Sequence, residues 1–275
     1  MIPKYLYHYT SCETLEAIFK SRKIRFNRLD RLNDKYEGFN VIEDEDHQYL
    51  RKCIYVSCWN AEEKDMIPLW NLYAEFRGLR IKLPTNLFNI KNQWEQVELS
   101  DSFVLASVID PILVDAKISV PNDEWDKCRI VDKVIGPVRV EYVTNLEDIC
   151  RNAISQKKEK GSKDSFLMIE TRLSELGLKK IEDWAFEKEW RYVIQGLKAV
   201  KICGSKQIIE QFDRMVILPD YIDIPYRPEA MQGIEILIGP LANDGVQKEV
   251  ENLLKRYEIK GSVKRSPLKI ALKNK

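Results

Sequence analysis

The sequence is poor in the residues from which zinc and other transition-metal sites are built. It has only two histidines, His8 and His47, and its six cysteines are scattered without a C-x-x-C pair. Structural zinc sites need closely spaced cysteine and histidine ligands. We therefore expect no metal site, and we expect the thiols to be reduced and mostly buried.

The sequence also lacks long apolar segments. No apolar run approaches the roughly 18 residues that a membrane-spanning helix needs. The N-terminal stretch "MIPKYLYHYT" has no apolar core of the length found in signal peptides. These two features predict a cytoplasmic protein without a membrane partner.

Neither sign of charge dominates the composition. Forty-four lysines and arginines face 43 aspartates and glutamates, which leaves a net charge of +1. A general nucleic-acid binder usually carries a clear basic excess, so this class is not favoured. With 44% hydrophobic and 32% charged residues, the chain has the composition of an ordinary soluble globular protein.

Hydrophobic periodicity predicts a mixture of helices and strands, without an internal repeat and without strict β-α-β alternation. The clearest strand candidates are 5–11, 23–27, 53–59, 78–83, 136–143 and 188–195. Helices are predicted after a capping box at Thr10–Glu13, around Pro68, and over 166–177 and 244–257. The pattern predicts an α+β fold with a mixed or mostly antiparallel sheet flanked by helices. We expect one domain over 1–275, in which 84–135 is a candidate insertion.

The stretch "YLYHYTS" at 5–11 places one of the two histidines among tyrosines. Side chains alternate between the faces of a strand, so Leu6, His8 and Thr10 share one face and the tyrosines share the other. A polar pair that ends a strand just before a helix is typical of ligand-binding edges. It is also found at ordinary strand ends, and the sequence leaves both interpretations open.

A second informative stretch is "AFEKEWRYVI" at 185–194. Read as a strand, it has one apolar face, formed by Phe186, Trp190, Tyr192 and Ile194. The opposite face carries Glu187, Glu189, Arg191 and Val193. Its charged side chains either form a solvated ladder of weak ion pairs or point into a cleft.

Both stretches together suit the cleavage of an N-glycosidic bond. The transition state of that reaction resembles an oxocarbenium ion, and a nearby carboxylate stabilises its positive charge. A histidine and a hydroxyl can position a ribose, and aromatic rings can stack on the leaving base.

The motifs "YHYTS", "RFNRLDRLNDKYEG", "YVSCW", "IPLWNLYAEFRGLRIKL" and "FEKEWRYVI" follow one another in this order. On these motifs the chain resembles a widespread, mostly bacterial family of unknown function, number 2971 among the domains of unknown function. The resemblance covers residues 5–83 and 184–194, with a weaker match at 234–244. That family in turn resembles the ADP-ribosyltransferase superfamily, in particular its histidine-tyrosine-glutamate branch. The resemblance implies a split sheet and NAD as the substrate.

The resemblance also implies roles for single residues. His8 would hold the NAD ribose with Thr10 beside it, and Glu189 would be the catalytic glutamate. Glu187 would be the first acid of a glutamate pair, and the roles of the two glutamates could be reversed. Tyr73 would stack on nicotinamide, with Trp70 as the competitor for that place.

Two further candidates have alternative interpretations. Ser57 ends the "YVSC" strand, where its hydroxyl either meets the cleft or packs between strands. Arg191 either binds a phosphate bidentately or neutralises the glutamates. Asp34 and Glu37, in the "RLNDKYEG" loop, are expected to stabilise a turn.

These expectations lead to one principal function and two alternatives. The principal prediction is an enzyme that transfers ADP-ribose from NAD to an unknown protein, nucleic acid or small molecule, or to water. By fold-level analogy such an enzyme acts in phage defence or toxicity. The alternatives are a non-catalytic module that senses a nucleotide or a partner, and an RNA 2′-phosphotransferase-like enzyme. The acidic character of the candidate site disfavours the phosphotransferase.

Overall fold

The structure is a computed structural model that describes residues 1–39, 50–88, 90–91, 112–113, 129–150, 154–160, 165–171, 175–197 and 219–271. These residues form a mixed α+β fold with a mostly antiparallel sheet, as the periodicity predicted. Most of the candidate insertion at 84–135 lies outside the described residues, as does His47.

Fifteen strands lie within the described ranges. They are β1 (Tyr5–Thr10), β2 (Lys23–Arg28), β3 (Ile54–Asn60), β4 (Leu79–Pro84), β5 (Ile90–Lys91), β6 (Ile112–Leu113), β7 (Arg129–Arg139), β8 (Glu141–Val143), β9 (Ile154–Lys160), β10 (Ser165–Thr171), β11 (Lys179–Ile181), β12 (Glu189–Leu197), β13 (Tyr221–Pro225), β14 (Ile234–Ile238) and β15 (Gly261–Arg265). The α-helices are α1 (Cys12–Ser21), α2 (Ile67–Ala74), α3 (Leu146–Ile149), α4 (Pro228–Met231) and α5 (Gly245–Arg256). Short 3-10 helices cover Leu29–Arg31, Leu50–Cys53 and Glu182–Glu187. In this part of the chain, every helix is too short or too polar to cross a membrane.

The main sheet has nine strands in the order β13-β2-β3-β1-β4-β14-β15, with β12 and β7 continuing from β3. Only β14 and β15 pair in parallel within it, and the other neighbours are antiparallel. Two-stranded pairs β9-β10, β8-β11 and β5-β6 lie outside this sheet.

The sheet opens along one edge of β3. β12 pairs with all of β3, from Ile54 to Asn60, and therefore occupies one edge completely. The other edge is shared, because β2 pairs with Tyr55 and Val56 whereas β1 pairs with Asn60 alone. Residues 57–59 pair with neither β1 nor β2. This opening lies directly beside His8 and positions the site described below.

Helices cover both faces of the sheet. The face that carries Leu6 and Tyr55 packs against the apolar sides of α1 and α5. The opposite face packs against α2, whose Trp70 contacts Tyr9 edge-on. A third apolar cluster, around Leu29 and Val193, continues the core on that second face beyond β3.

Helix α1 begins one residue later than the predicted capping box. Ser11 is the N-cap, and its hydroxyl accepts a hydrogen bond from the Thr14 N–H at 3.2 Å. Thr10 is not free to cap because it is the last residue of β1 and pairs with Leu79. Leu15, Ile18 and Phe19 form the buried side of α1, as predicted.

The predicted helix over 166–177 is wrong. Residues 165–171 form β10, which pairs antiparallel with β9, so that Leu167 lies opposite Lys158. A short apolar run is compatible with the period of a helix and with that of a strand. The cross-strand backbone hydrogen bonds decide for the strand. The polar sequence of β9 concealed this partner.

Candidate functional site

A cavity of about 600 Å³ passes through the opening beside β3, and we call it the central cavity. Its walls come from β1, α1, β2, β3, α2, β11 and β12. Concave sites of this size hold small molecules and cofactors in other proteins. Six of the predicted site residues lie in its wall, namely His8, Ser57, Tyr73, Glu187, Glu189 and Arg191.

His8 contributes to the central cavity on the α1 face of the sheet. Its Nδ1 lies 3.0 Å from the Cys58 carbonyl oxygen, and its ring packs 5.1 Å from the Trp59 ring. Burial lowers the pKa of His8, an effect that the bond to the Cys58 carbonyl partly opposes. The imidazole is therefore neutral at pH 7, and because Nδ1–H donates to the carbonyl, Nε2 is an acceptor.

Ser57 lies on the same face as His8. Its hydroxyl oxygen accepts a hydrogen bond from the indole N–H of Trp59 at 3.0 Å. Ser57 lines the central cavity, and its hydroxyl group is held by a side chain of its own strand.

The opposite face of the sheet carries a buried charge cluster of Glu37, Lys180, Glu187, Glu189 and Arg191. The Lys180 ammonium lies 2.9 Å from Glu37, 2.5 Å from Glu187 and 3.3 Å from Glu189. Each of these five residues is at most 4% exposed. Buried charges of this kind persist only where partners satisfy them.

Arg191 neutralises the glutamates, which was one of its two predicted roles. Its Nε and Nη2 donate to the two carboxylate oxygens of Glu189 at 2.7 and 2.9 Å. Nη2 also donates to Glu37 at 2.8 Å, and Nη1 donates to the Gly177 carbonyl at 2.7 Å. The guanidinium is fully buried, so this arrangement leaves it no face for a phosphate.

Glu187 and Glu189 are not on one strand, although both point to Lys180. Glu187 ends the 3-10 helix, and Lys188 turns the chain with φ of 45° before β12 begins at Glu189. The predicted alternation nevertheless groups Glu187, Glu189 and Arg191, which do meet in one cluster. Their face is not a solvated ladder. It is buried against the loop that carries Glu37, and its charged side chains line the central cavity.

The two glutamates differ in how readily they accept a proton. Burial alone would raise the pKa of Glu189, but Arg191 and Lys180 outweigh it and lower the value to about 2. Burial raises the pKa of Glu187, and Glu189 adds to this, while Lys180 and Tyr73 act against it. Of the two carboxylates, Glu187 is therefore the one that binds a proton more readily.

Tyr73 links Glu187 to the outer part of the cavity. Its hydroxyl donates a hydrogen bond to the Glu187 carboxylate and accepts one from the Asn33 side chain at 3.1 Å. The Tyr73 side chain is 42% exposed, so one part of it faces solvent while its hydroxyl reaches the cluster. The Asn60 side chain holds the backbone of Glu187 by donating to its carbonyl oxygen at 2.5 Å.

Thr10 and Trp70 do not line the central cavity. Thr10 is buried, and Trp70 is fully buried between α2 and the sheet, where it packs edge-on against Tyr9. Trp70 points to the core because it shares the apolar side of α2 with Leu69 and Ala74, whereas Tyr73 lies on the exposed side. Of the two aromatic candidates on α2, only Tyr73 is placed to meet a ligand.

Sequence reasoning missed Glu37 and Lys180. The sequence predicts a turn-stabilising role for Glu37, yet this residue is fully buried and pairs with Lys180 and Arg191. Asp34 does stabilise the turn, because its carboxylate accepts the Tyr36 N–H at 2.9 Å. The sequence does contain one indication of such partners. The 187–191 face has two carboxylates and one cation, and buried carboxylates require further cations from elsewhere in the chain. The sequence around Lys180 has no feature that distinguishes this lysine from the others.

Among the described residues, no group of three histidine, cysteine, aspartate or glutamate side chains is arranged to hold a metal ion. The chain matches no protein-family model, no curated protein and no solved structure. Its functional interpretation therefore rests on the geometry of the central cavity and on the motif resemblance.

Proposed function

We propose that this protein is an NAD-dependent, ADP-ribosyltransferase-like enzyme. It cleaves the bond between nicotinamide and ribose and transfers ADP-ribose to an acceptor of unknown class. The observation that carries the proposal is the central cavity, which joins His8 on one face of the sheet to Glu187 and Tyr73 on the other through the opening beside β3. An extended dinucleotide suits a cavity that connects two faces.

We assign the reacting carboxylate to Glu187 rather than to Glu189. Both oxygens of Glu189 are occupied by Arg191, and Lys180 adds a third contact. Glu189 thus acts as a positioning residue that fixes the two cations. Glu187 contacts the partly exposed Tyr73, and its raised pKa suits a group that gives and takes protons.

The reaction follows from these positions. The C1′–N bond of the nicotinamide ribose breaks with both electrons leaving on the nicotinamide nitrogen, and the ionised Glu187 stabilises the oxocarbenium ion that forms. Nε2 of His8 accepts a hydrogen bond from a ribose hydroxyl and holds the sugar in place. The acceptor then forms a new bond to C1′ and loses its proton to Glu187.

A non-catalytic nucleotide-sensing module is the second candidate. It is favoured by the extent to which the charge cluster is already paired, because Lys180 and Arg191 together contact all three carboxylates without a ligand. Such a module would bind NAD and release no nicotinamide.

The test is nicotinamide release from NAD by the purified protein, with and without cell extract as a source of acceptors. We expect release that depends on the extract and that is lost in Glu187→Gln. Release without extract would indicate a glycohydrolase, and NAD binding without any release would establish the sensing module. Full turnover in folded Glu187→Gln would contradict the assignment of that residue.

A further inference from the structure

The charge cluster contains more negative than positive groups. Three carboxylates, of Glu37, Glu187 and Glu189, face two cations, Lys180 and Arg191. When all five are ionised, three minus two leaves one uncompensated negative charge. All five residues line the central cavity, so this charge belongs to its wall.

Two carboxylate oxygens show where the excess lies. Oε2 of Glu37 has no hydrogen-bond partner within the described residues, although the side chain is fully buried and lines the cavity. Oε1 of Glu187 receives a hydrogen bond from the neutral phenol of Tyr73, whereas Lys180 donates to the other oxygen, Oε2. Both oxygens belong to glutamates that line the cavity and that pair with Lys180 through their other oxygen.

We propose that the central cavity selects ligands that carry a positive charge on an aromatic ring, and that this ring binds against the face of Tyr73, beside the charge cluster. A cation offsets the excess charge in surroundings where electrostatic interactions are stronger than in water. The face of Tyr73 offers an additional favourable surface for a flat cation. That the ring is the nicotinamide of oxidised NAD rests on the proposed function, whereas the charge preference does not.

The preference for a cationic ligand also predicts that binding releases protons. Burial raises the pKa of Glu187, so a proton and a bound cation compete to offset the charge at this carboxylate. A bound cation lowers that pKa, and binding therefore releases protons. The ionisable groups around Glu187 are Lys180 of β11, Tyr73 of α2, Tyr142 of β8, Glu189 and Arg191 of β12, and Glu37.

Two matched pairs of probes test the proposal by titration calorimetry. The first is 1-methylnicotinamide, a cation, against neutral nicotinamide, and the second is NAD against NADH, whose ring is neutral. We expect the cationic member to bind at least about tenfold more tightly, which corresponds to one unit charge partly screened within the protein. Repeating the titration in buffers of different ionisation enthalpy should show proton release.

The variant Glu187→Gln removes the excess charge and should bring the two affinities close together. Glu62→Gln is the matched control, because Glu62 pairs with Lys188 on the surface and should leave the preference unchanged. If Glu187→Gln does not fold, the ratio measured for the natural chain still decides the question. Equal binding of both probes, tighter binding of the neutral one, or no binding of either at millimolar concentration would overturn the proposal.

The two proposals fail separately in these experiments. A cationic preference without nicotinamide release refutes the enzyme and leaves the charge selection standing. Nicotinamide release with equal affinities for NAD and NADH refutes the charge selection and leaves the enzyme standing.

Discussion

Arg191 holds Glu189 through two hydrogen bonds of 2.7 and 2.9 Å, although the two residues are separated on β12 by Trp190 alone. The strand period of two places their side chains on one face, and burial of that face forces them to pair. The same guanidinium also donates to Glu37, which belongs to a loop far away in the sequence. One side chain thus joins β12 to a loop that lines the cavity.

Removing this cation should destabilise the fold strongly. Arg191→Met keeps most of the side-chain volume but leaves the negative charges of Glu189 and Glu37 with Lys180 alone. We expect the free energy of unfolding to fall by about 3–5 kcal/mol, the usual cost of breaking a buried ion pair. Urea denaturation followed by circular dichroism measures it.

The control for this prediction is an exposed arginine. Arg256 of α5 pairs with Glu16 at 2.6 Å, with the Arg256 side chain 61% exposed. Arg256→Met should cost no more than about 1 kcal/mol because water screens the pair. Similar losses of unfolding free energy in the two variants would mean that burial does not strengthen the contribution of Arg191.

Acid should weaken the fold through Glu189. Its pKa is about 2 in the folded protein, below the ordinary value of 4.5. A carboxylate whose pKa is lowered on folding stabilises the protein above the unfolded value and loses this contribution as the pH falls through the folded value. The contribution of Glu189 should therefore disappear between about pH 4.5 and pH 2.

Denaturant titrations at several pH values across that range measure this loss. The natural chain should lose stability more steeply than Glu189→Gln, which has no carboxylate to protonate at this position. Parallel curves for the two proteins would contradict the role given to Glu189.

Much of the sheet could be predicted from the sequence because its central strands are apolar and short. The expected strands at 23–27, 53–59 and 78–83 correspond to β2, β3 and β4 within one or two residues. The polar strand β9 and the edge strand β15 were missed, since neither has the alternation that identifies a half-buried strand. Their pairing with neighbours is a tertiary effect that local pattern does not contain.

The part of the candidate site that has a local sequence pattern could also be predicted, and the part that depends on tertiary contacts could not. His8, Tyr73 and the 187–191 face stand out locally as polar or aromatic groups beside apolar ones. Lys180 and Glu37 come from a strand and a loop of ordinary composition, and only the folded chain brings them to Glu187 and Arg191. The preference for Glu189 over Glu187 was also a sequence expectation, made without the cations that distinguish the two carboxylates.

The loop that carries Glu37 depends on Gly38. Its φ of 64° lies in the left-handed region, and an added Cβ would come within 2.5 Å of a Leu29 methyl group. Gly38→Ala should therefore cost about 2–3 kcal/mol, through both backbone strain and crowding. Thermal or urea denaturation measures the loss.

Gly233 provides the matched control for Gly38. Its φ is 84°, but an added Cβ would meet nothing within 4 Å, so Gly233→Ala carries the backbone strain alone. We expect a loss of about 1 kcal/mol there. If both variants lose the same amount, contact with Leu29 does not fix the loop.

The last prediction concerns Tyr73, whose hydroxyl donates to the Glu187 carboxylate. Tyr73→Phe keeps the ring that would stack on a ligand and removes only this donor. Because the side chain is 42% exposed, stability should change by no more than about 1 kcal/mol. Turnover should nevertheless fall by about a hundredfold, since Glu187 loses the group that orients it and tunes its proton affinity.

Nicotinamide release from NAD, measured at several pH values, separates this role from a structural one. Tyr73→Phe should shift the pH dependence upwards, because the hydrogen bond from Tyr73 lowers the pKa of Glu187 and its loss lets that pKa rise. Tyr36→Phe is the control, as Tyr36 is similarly exposed at 49% and lies outside the cavity wall. A lower rate with an unchanged pH profile would mean that Tyr73 contacts the substrate without acting through Glu187.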